Sequence, residues 1–284
     1  MELKEDFELK SQLIDSYLRD LMDSAKGIPE PLFSSMKYSL LSKGKHLRPI
    51  LLLTTLEMFS YDVKNGLPFA AAIEMIHTYS LIHDDLPSMD NSDLRRNLPS
   101  NHKKFGDGMA LLAGDSLLNL ACEVALSSED YPAEIVNEAT RALFIKSGAF
   151  GMAAGQCLDL NQVNSEVTLD DLILIADYKT ACLITAAVQC GAILGKANKE
   201  ELNSLTLFAR NLGIAFQIKD DILDVINNEK NDESITTFVD IIGLDKAKEL
   251  CKIYTDTAIE NLQNLKYDTT KLEYIAELML NRVR

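Results

Sequence analysis

Two short segments of this chain concentrate carboxylates inside otherwise apolar surroundings. One is Asp84-Asp85-Leu86-Pro87-Ser88-Met89-Asp90 and the other Asp220-Asp221-Ile222-Leu223-Asp224. Three carboxylates in so few residues repel one another unless solvent or a cation intervenes. Their flanks, Tyr79-Ser80-Leu81-Ile82 and Ile214-Ala215-Phe216, argue against simple solvation. An all-oxygen donor set of this density suits a hard divalent ion, Mg²⁺ above all, which takes few protein carboxylates and keeps positions open for phosphate oxygens. Two such segments point to a metal-bridged phosphorylated substrate held between facing elements.

The second segment is helical in pattern. At about 100° per residue, Gln217, Asp220, Asp221 and Asp224 fall within one arc of roughly 100°. A solvated acidic stripe is the bland alternative, which the adjacent Phe216 and Ile222 disfavour. The first segment cannot be a single stripe, because Pro87 disfavours helix at Leu86. Its helix is expected to end near Asp85, with the chain curling so that Asp90 returns towards Asp84. Arg95 and Arg96 follow at once, and guanidinium forks bind diphosphate oxygens bidentately. They could instead merely neutralise the aspartates, which would not explain why both signs gather there.

Weaker signals lie elsewhere. Gly44-Lys45-His46-Leu47-Arg48-Pro49 leads into a helix, leaving Lys45 and Arg48 where free N–H groups favour anions. Lys179-Thr180 is expected at a break between helices. His77 precedes Asp84 by seven residues, on nearly the same helical face, and a phosphate contact is its preferred role. His46, His83 and His102 are taken as structural, since no zinc-type spacing accompanies them. The chain contains no G-x-S-x-G, Walker loop or G-x-G-x-x-G, which removes hydrolase, P-loop and Rossmann chemistry.

The elements that must position these groups are helices. Apolar spacing of three and four recurs throughout and clean alternation does not. It predicts helices near 5–24, 29–42, 49–60, 67–86, 105–127, 132–151, 169–177, 180–195, 199–226, 243–264 and 270–283. Those near 67–86, 180–195 and 205–226 carry few charges around most of their circumference and belong at the centre of a bundle. With no linker or repeat, residues 1–284 read as one all-α domain. Hydrophobic residues make up 47% of the 284, enough for a substantial core. A net charge of −15 disfavours nucleic acid and anionic membranes as partners. It also requires local cations to capture a phosphate. Five cysteines without a C-x-x-C pair read as reduced packing residues. The acidic start lacks signal-peptide form and no apolar run reaches membrane-span length, so a cytoplasmic protein is expected.

Together these residues resemble the trans-polyprenyl diphosphate synthases, and among them the bacterial farnesyl diphosphate synthases. The resemblance covers essentially the whole chain. It is strongest over Ile76–Asp90, similar to the family's first aspartate-rich motif with its bacterial two-residue insertion, and over Phe216–Asp224, similar to the second. Gly151-Met152-Ala153-Ala154-Gly155-Gln156-Cys157-Leu158-Asp159 resembles the central G-Q-x-x-D segment. The resemblance implies an isoprenoid-synthase-type helical bundle around a central cavity, a homodimer, and condensation of isopentenyl diphosphate with an allylic diphosphate. Asp84, Asp85, Asp90, Asp220, Asp221 and Asp224 would hold Mg²⁺, three ions being the family's usual complement. Arg95, Lys179, Thr180 and Gln217 would contact the allylic diphosphate, and Lys45, Arg48, His77 and Arg96 isopentenyl diphosphate.

Such chemistry leaves a carbocation and a strongly anionic leaving group, so charge stabilisation and exclusion of water matter most. No side-chain general base is evident, and the released diphosphate can take the proton. Bulk ahead of the first motif limits product length in the family. Tyr79 is large and Ser80 small, a pattern like that of enzymes stopping at farnesyl. Periodicity alone sets Tyr79 about 140° from Asp84, so its role as pocket floor rests on the resemblance. The chain departs from the family where the segment after Asp224 is shortened, with Ile235 at the usual lysine position and Lys230 nearby. Asn97-Leu98 replaces a Gly-basic pair, and Ala181 stands where glycine is common. Weaker allylic binding or a looser lid is expected from these changes. A geranylgeranyl product, a terpene cyclase and a non-catalytic subunit are the alternatives. The intact aspartate segments and Lys45, Arg48 and His77 weigh against the last two.

Overall fold

A computed structural model describes residues 3–162, 166–227 and 236–281. The chain forms two compact units, Met1–Leu53 with Asp62–Thr140, and Thr54–Tyr61 with Arg141–Arg284. The described residues are helical apart from connecting turns and one two-residue hairpin.

The first unit opens with α1 (Leu3–Ser24), whose buried positions Asp6, Lys10, Ile14, Leu18 and Met22 recur every fourth residue. Two of them are charged, and the Lys10 ammonium is paired with the Asp6 carboxylate one turn away. α2 (Glu30–Leu40) and α3 (Leu47–Met58) follow, then a 3₁₀ turn at Val63–Gly66. α4 (Leu67–Asp84) buries Phe69 through Ile76 without interruption, the burial on all sides expected of a central helix. It stops at Asp84 because Pro87 bars helical geometry at Leu86.

After α4 the chain makes a hairpin of β1 (Leu94–Arg95) and β2 (Leu98–Pro99), antiparallel, with Leu94 opposite Pro99. Its two-residue turn, Arg96-Asn97, has φ of 55° and 61° at the two positions. Positive φ at both is the geometry that matches the right-handed twist of hairpin strands. Asparagine tolerates it and takes the place of glycine there. α5 (Asn101–Phe105) and α6 (Asp107–Leu126) complete the unit. α6 packs along α4, and its buried positions Ala110, Ala113, Gly114, Leu117 and Ala121 keep the two helices close. A Cβ at Gly114 would lie 2.1 Å from His83 Nε2. α6 is long and apolar enough to cross a membrane by length and composition alone, a test that a packed core helix also passes. Asp107, Asp115 and Glu123 interrupt it, and its small-residue face is a packing face.

α7 (Ala133–Ser147) ends earlier than its periodicity suggests, and α8 (Met152–Leu160) is a separate helix the pattern did not reveal. A Cβ at the intervening Gly151 would lie 1.9 Å from Lys146 O, so the tight turn requires glycine. In the second unit α9 (Leu169–Ile175) starts with a capping box between Thr168 and Asp171. It runs into a π-helical segment, Ala176–Ala181, and then α10 (Cys182–Leu194), where every residue but Gln189 is buried. α11 (Lys199–Ile226), capped by Asn198 and Glu201, is the longest element described. α12 (Phe238–Ile242), α13 (Leu244–Glu260) and α14 (Thr270–Asn281) follow. Leu172, Ile214, Ile218, Ile222, Phe238 and Cys251 belong to one buried apolar cluster in this unit. Cys182, Cys190 and Cys251 are buried packing residues as expected, but Cys157 is exposed and Cys122 half-buried.

Candidate active site

The first unit places most of the expected groups around the C-terminal half of α4. The Asp90 amide donates to Asp84 O at 2.9 Å, so the segment does fold back on the helix end. Asp84 is half-buried and Asp90 exposed. Asp85 is only 2% exposed and accepts hydrogen bonds from Arg95, at 3.0 Å from Nε and 2.5 Å from Nη2. This two-pronged pair keeps the buried carboxylate compensated, and Asp85, Asp84 and Asp90 together raise the pKa of the Arg95 guanidinium despite burial. The hairpin sets the direction of both arginines. Arg95 turns to Asp85, whereas Arg96 Nη1 donates to Ser42 O at 3.2 Å and Ser42 Oγ at 3.0 Å.

Two turns before the aspartates, His77 Nε2 lies 3.4 Å from Arg48 Nη1. Burial, with Arg48 and then Arg96 and Arg95 opposing a second positive charge, pushes the His77 pKa down to about 3. A neutral imidazole beside a guanidinium is an oriented donor or acceptor without charge of its own. Lys45 is exposed just ahead of α3, the helix that carries Arg48. His46, expected to be structural, is buried with φ of 44°, its Nε2 3.0 Å from Asp15 Oδ1 and its Nδ1 3.2 Å from Glu74 Oε1. Glu74 was not anticipated, although a lone carboxylate within the apolar run Phe69–Ile76 was its signal. Tyr79 packs edge-on to His83, ring centroids 5.7 Å apart, and Ser80 Oγ donates to His77 O at 2.9 Å.

The second unit gathers the remaining groups around one chain of hydrogen bonds. Thr180 Oγ1 donates to Gln217 Oε1 at 2.7 Å, Gln217 Nε2 donates to Asp221 Oδ1 at 3.0 Å, and the Phe238 amide donates to Asp221 Oδ2 at 2.9 Å. Asp221 is 8% exposed, and burial together with Asp220 and Asp224 lifts its pKa to about 6 against the pull of its donors. Asp220 is half-buried and Asp224 exposed on the same stripe. Lys179 and Thr180 are not at a helix break. They occupy the π-helical segment, whose widened turn is a frequent mark of functional sites. The Lys179 ammonium is paired with the Asp159 carboxylate of α8. That partner was visible only as the last residue of the G-Q-x-x-D segment. Ala181, at a position where glycine is common, is accommodated by Gly213 of α11, where a Cβ would lie 2.4 Å from Ala181 Cα. Lys230 and Ile235 lie outside the described residues.

Among the described residues, no three His, Cys, Asp or Glu side chains converge closely enough to hold a cation unaided. Within each unit the donors are all carboxylate oxygens and one buried member is already committed to protein partners. That chemistry fits Mg²⁺, which is bound through one or two carboxylates together with water and substrate phosphates.

The chain matches the polyprenyl synthetase family model over residues 29–263. It is 40% identical to the farnesyl diphosphate synthase of Geobacillus stearothermophilus, with 96% of this chain and 95% of that one aligned. It is 38% identical to geranylgeranyl pyrophosphate synthase 7 of Arabidopsis thaliana, over 96% of this chain and 82% of the relative. Among solved structures, an FPP/GFPP synthase from Zymomonas mobilis superposes with a TM-score of 0.89 at 35% identity, covering 99% of each chain. An all-α chain with two carboxylate segments, each bordered by cations and amides, and a family match running through both of its units belongs to the polyprenyl synthetases, trans-prenyltransferases that bind isoprenoid diphosphates.

Proposed function

We propose that the chain is a Mg²⁺-dependent farnesyl diphosphate synthase, condensing isopentenyl diphosphate head to tail with dimethylallyl and then geranyl diphosphate. The observation that carries this is the end of α4, where a folded-back aspartate segment sits beside two arginines aimed in different directions by one hairpin. One group of anions and two groups of cations in one place suit a reaction that handles two diphosphates.

In this proposal Asp84, Asp85, Asp90, Asp220, Asp221 and Asp224 hold the metal, three ions by analogy with the family. Mg²⁺ so bound would screen the allylic diphosphate and stabilise it as a leaving group. Arg95, Lys179, Thr180 and Gln217 orient that diphosphate. Arg95 and Lys179 are each neutralised by an aspartate here, so each exchanges a carboxylate for phosphate oxygens on loading. Lys45, Arg48, His77 and Arg96 receive isopentenyl diphosphate, His77 as a neutral donor. Tyr79 closes the pocket that the growing chain enters, and Ser80 leaves room beside it. The assembly proposed is the homodimer implied by the family, which size-exclusion chromatography with light scattering tests.

Incubating the purified chain with Mg²⁺, isopentenyl diphosphate and either dimethylallyl or geranyl diphosphate, then sizing the products, tests the function. Farnesyl diphosphate from both allylic substrates is expected. Geranylgeranyl diphosphate as main product would place the chain with its plant relatives, and no product would leave a non-catalytic subunit.

A further inference from the structure

α4 contains one carboxylate ahead of its aspartate terminus, Glu74, and it is 1% exposed. Two basic side chains converge on its Oε1, His46 Nδ1 at 3.2 Å and Arg96 Nη2 at 3.8 Å. Burial would protonate it, yet the adjacent His46 and the charges around it hold its pKa down at about 2. His46 is gripped from its other side by Asp15 of α1 at 3.0 Å. Both residues held by Glu74 have left-handed backbones, φ 44° at His46 and 55° at Arg96, which non-glycine residues adopt only where their surroundings compel it. Arg96 is also fitted closely against the loop, since a Cβ at Gly44 would lie 3.0 Å from its Nη1.

We propose that Glu74 is a positioning residue for the isopentenyl diphosphate half-site, clamping the start of α3, through His46 just before it, and the Arg96 guanidinium into one preformed anion cradle without touching substrate itself. The proposal rests on the functional reading above, in which Lys45, Arg48, His77 and Arg96 receive that diphosphate. An ion pair buried this deeply is not an economical source of stability, and fixing the geometry of its partners is the better account of its presence. Arginine and lysine side chains lose rotamer freedom on binding, and a cradle already ordered avoids that cost.

Charge and positioning make opposite predictions for Glu74→Gln. Removing a negative charge from beside Arg96 should tighten anion binding if electrostatics alone mattered. If Glu74 positions the cradle, KM for isopentenyl diphosphate rises about tenfold, the scale of losing a partner that orients a binding group. KM for geranyl diphosphate then stays within about twofold of the unaltered chain, because uniform damage would move both. Glu74→Asp, which keeps the charge, should recover part of the loss. An isopentenyl KM that is unchanged or lower, or an equal rise in both KM values, overturns the assignment. Should Glu74→Gln not fold, as judged by circular dichroism and elution volume, Asp15→Asn replaces it. The Asp15 side chain is 44% exposed, and its loss slackens His46 alone. A rise of about threefold in isopentenyl KM is expected there, and none overturns the assignment. If the unaltered chain does not turn over isopentenyl diphosphate, the functional reading fails. Normal turnover with an unmoved KM in the variants sinks only the role of Glu74.

Discussion

In the function proposed above, product length turns on Tyr79. Burial and the nearby Asp84 raise its pKa to about 12, so at any physiological pH it is a neutral phenol and acts through bulk, not charge. Its ring is braced edge-on by His83, which in turn lies within hydrogen-bonding distance of Leu111 O, 3.1 Å from Nε2. A braced aromatic ring is a firmer stop than a mobile one. Tyr79→Ala should therefore release elongation beyond farnesyl, with chain-length analysis showing geranylgeranyl and longer products. Unchanged products would mean that the floor lies elsewhere. Gly114 sets the brace, and Gly114→Ala should unseat His83 because the added Cβ has no room. Overpacking of this kind costs about 1–3 kcal/mol, to be read as a lower urea midpoint. A variant as stable as the parent would contradict the close approach of α4 and α6.

The π-helical segment Ala176–Ala181 does for the second unit what the hairpin does for the first: it sets the direction of residues in the candidate site. Lys179 and Thr180 leave the regular helical register there, and α8 comes so near that a Cβ at Gly155 would lie 2.1 Å from the Lys179 amide nitrogen. Gly155→Ala should push α8 off the segment and break the Asp159–Lys179 pair. A loss of about 1–3 kcal/mol in stability is expected, with a raised KM for the allylic substrate measured by steady-state kinetics. Wild-type kinetics in that variant would show that the segment does not depend on α8. Neither device was legible beforehand, and the reason is physical. Helical periodicity registers apolar faces, so an extra residue in one turn looks like a break, as it does at Lys179-Thr180. The left-handed turn at Arg96 is hard to see as well, because Asn97 beside it is the one turn-forming residue and no glycine stands there. What periodicity did register was α4, α10 and α11, whose apolar runs leave little alternative to burial.

At the scale of the molecule, carboxylates outnumber cations by fifteen, and the cations that matter are kept local by buried acids such as Glu74 and Asp85. The two acidic segments and most of their partners could be identified from residue type and spacing, since charge within apolar sequence is conspicuous. Glu74, Asp15 and Asp159 could not, because each acts on a partner distant in the chain. The same burial gives the two units opposite responses to acid. His77 has its pKa lowered from 6.5 to about 3, so below pH 6.5 the unfolded chain takes up a proton that the folded chain refuses, and acid destabilises. Asp221 has its pKa raised from 3.8 to about 6, so below pH 6 the folded chain takes up a proton first, and acid stabilises until about 3.8. Glu74, held at about 2, adds acid sensitivity only once pH falls below its ordinary 4.5. His46, with a raised pKa, contributes stability that is complete below 6.5 and lost as pH climbs above it. Between pH 6 and 4.5 the two opposing groups therefore cancel, each with a slope of up to about 1.4 kcal/mol per pH unit. In the presence of a chelator, urea unfolding of the parent chain should be nearly flat across that window. Asp221→Asn should uncover a fall in stability towards acid, and His77→Gln a rise. Parallel slopes in the two variants would refute the opposed titrations and, with them, the neutral His77 that the proposed isopentenyl diphosphate half-site requires.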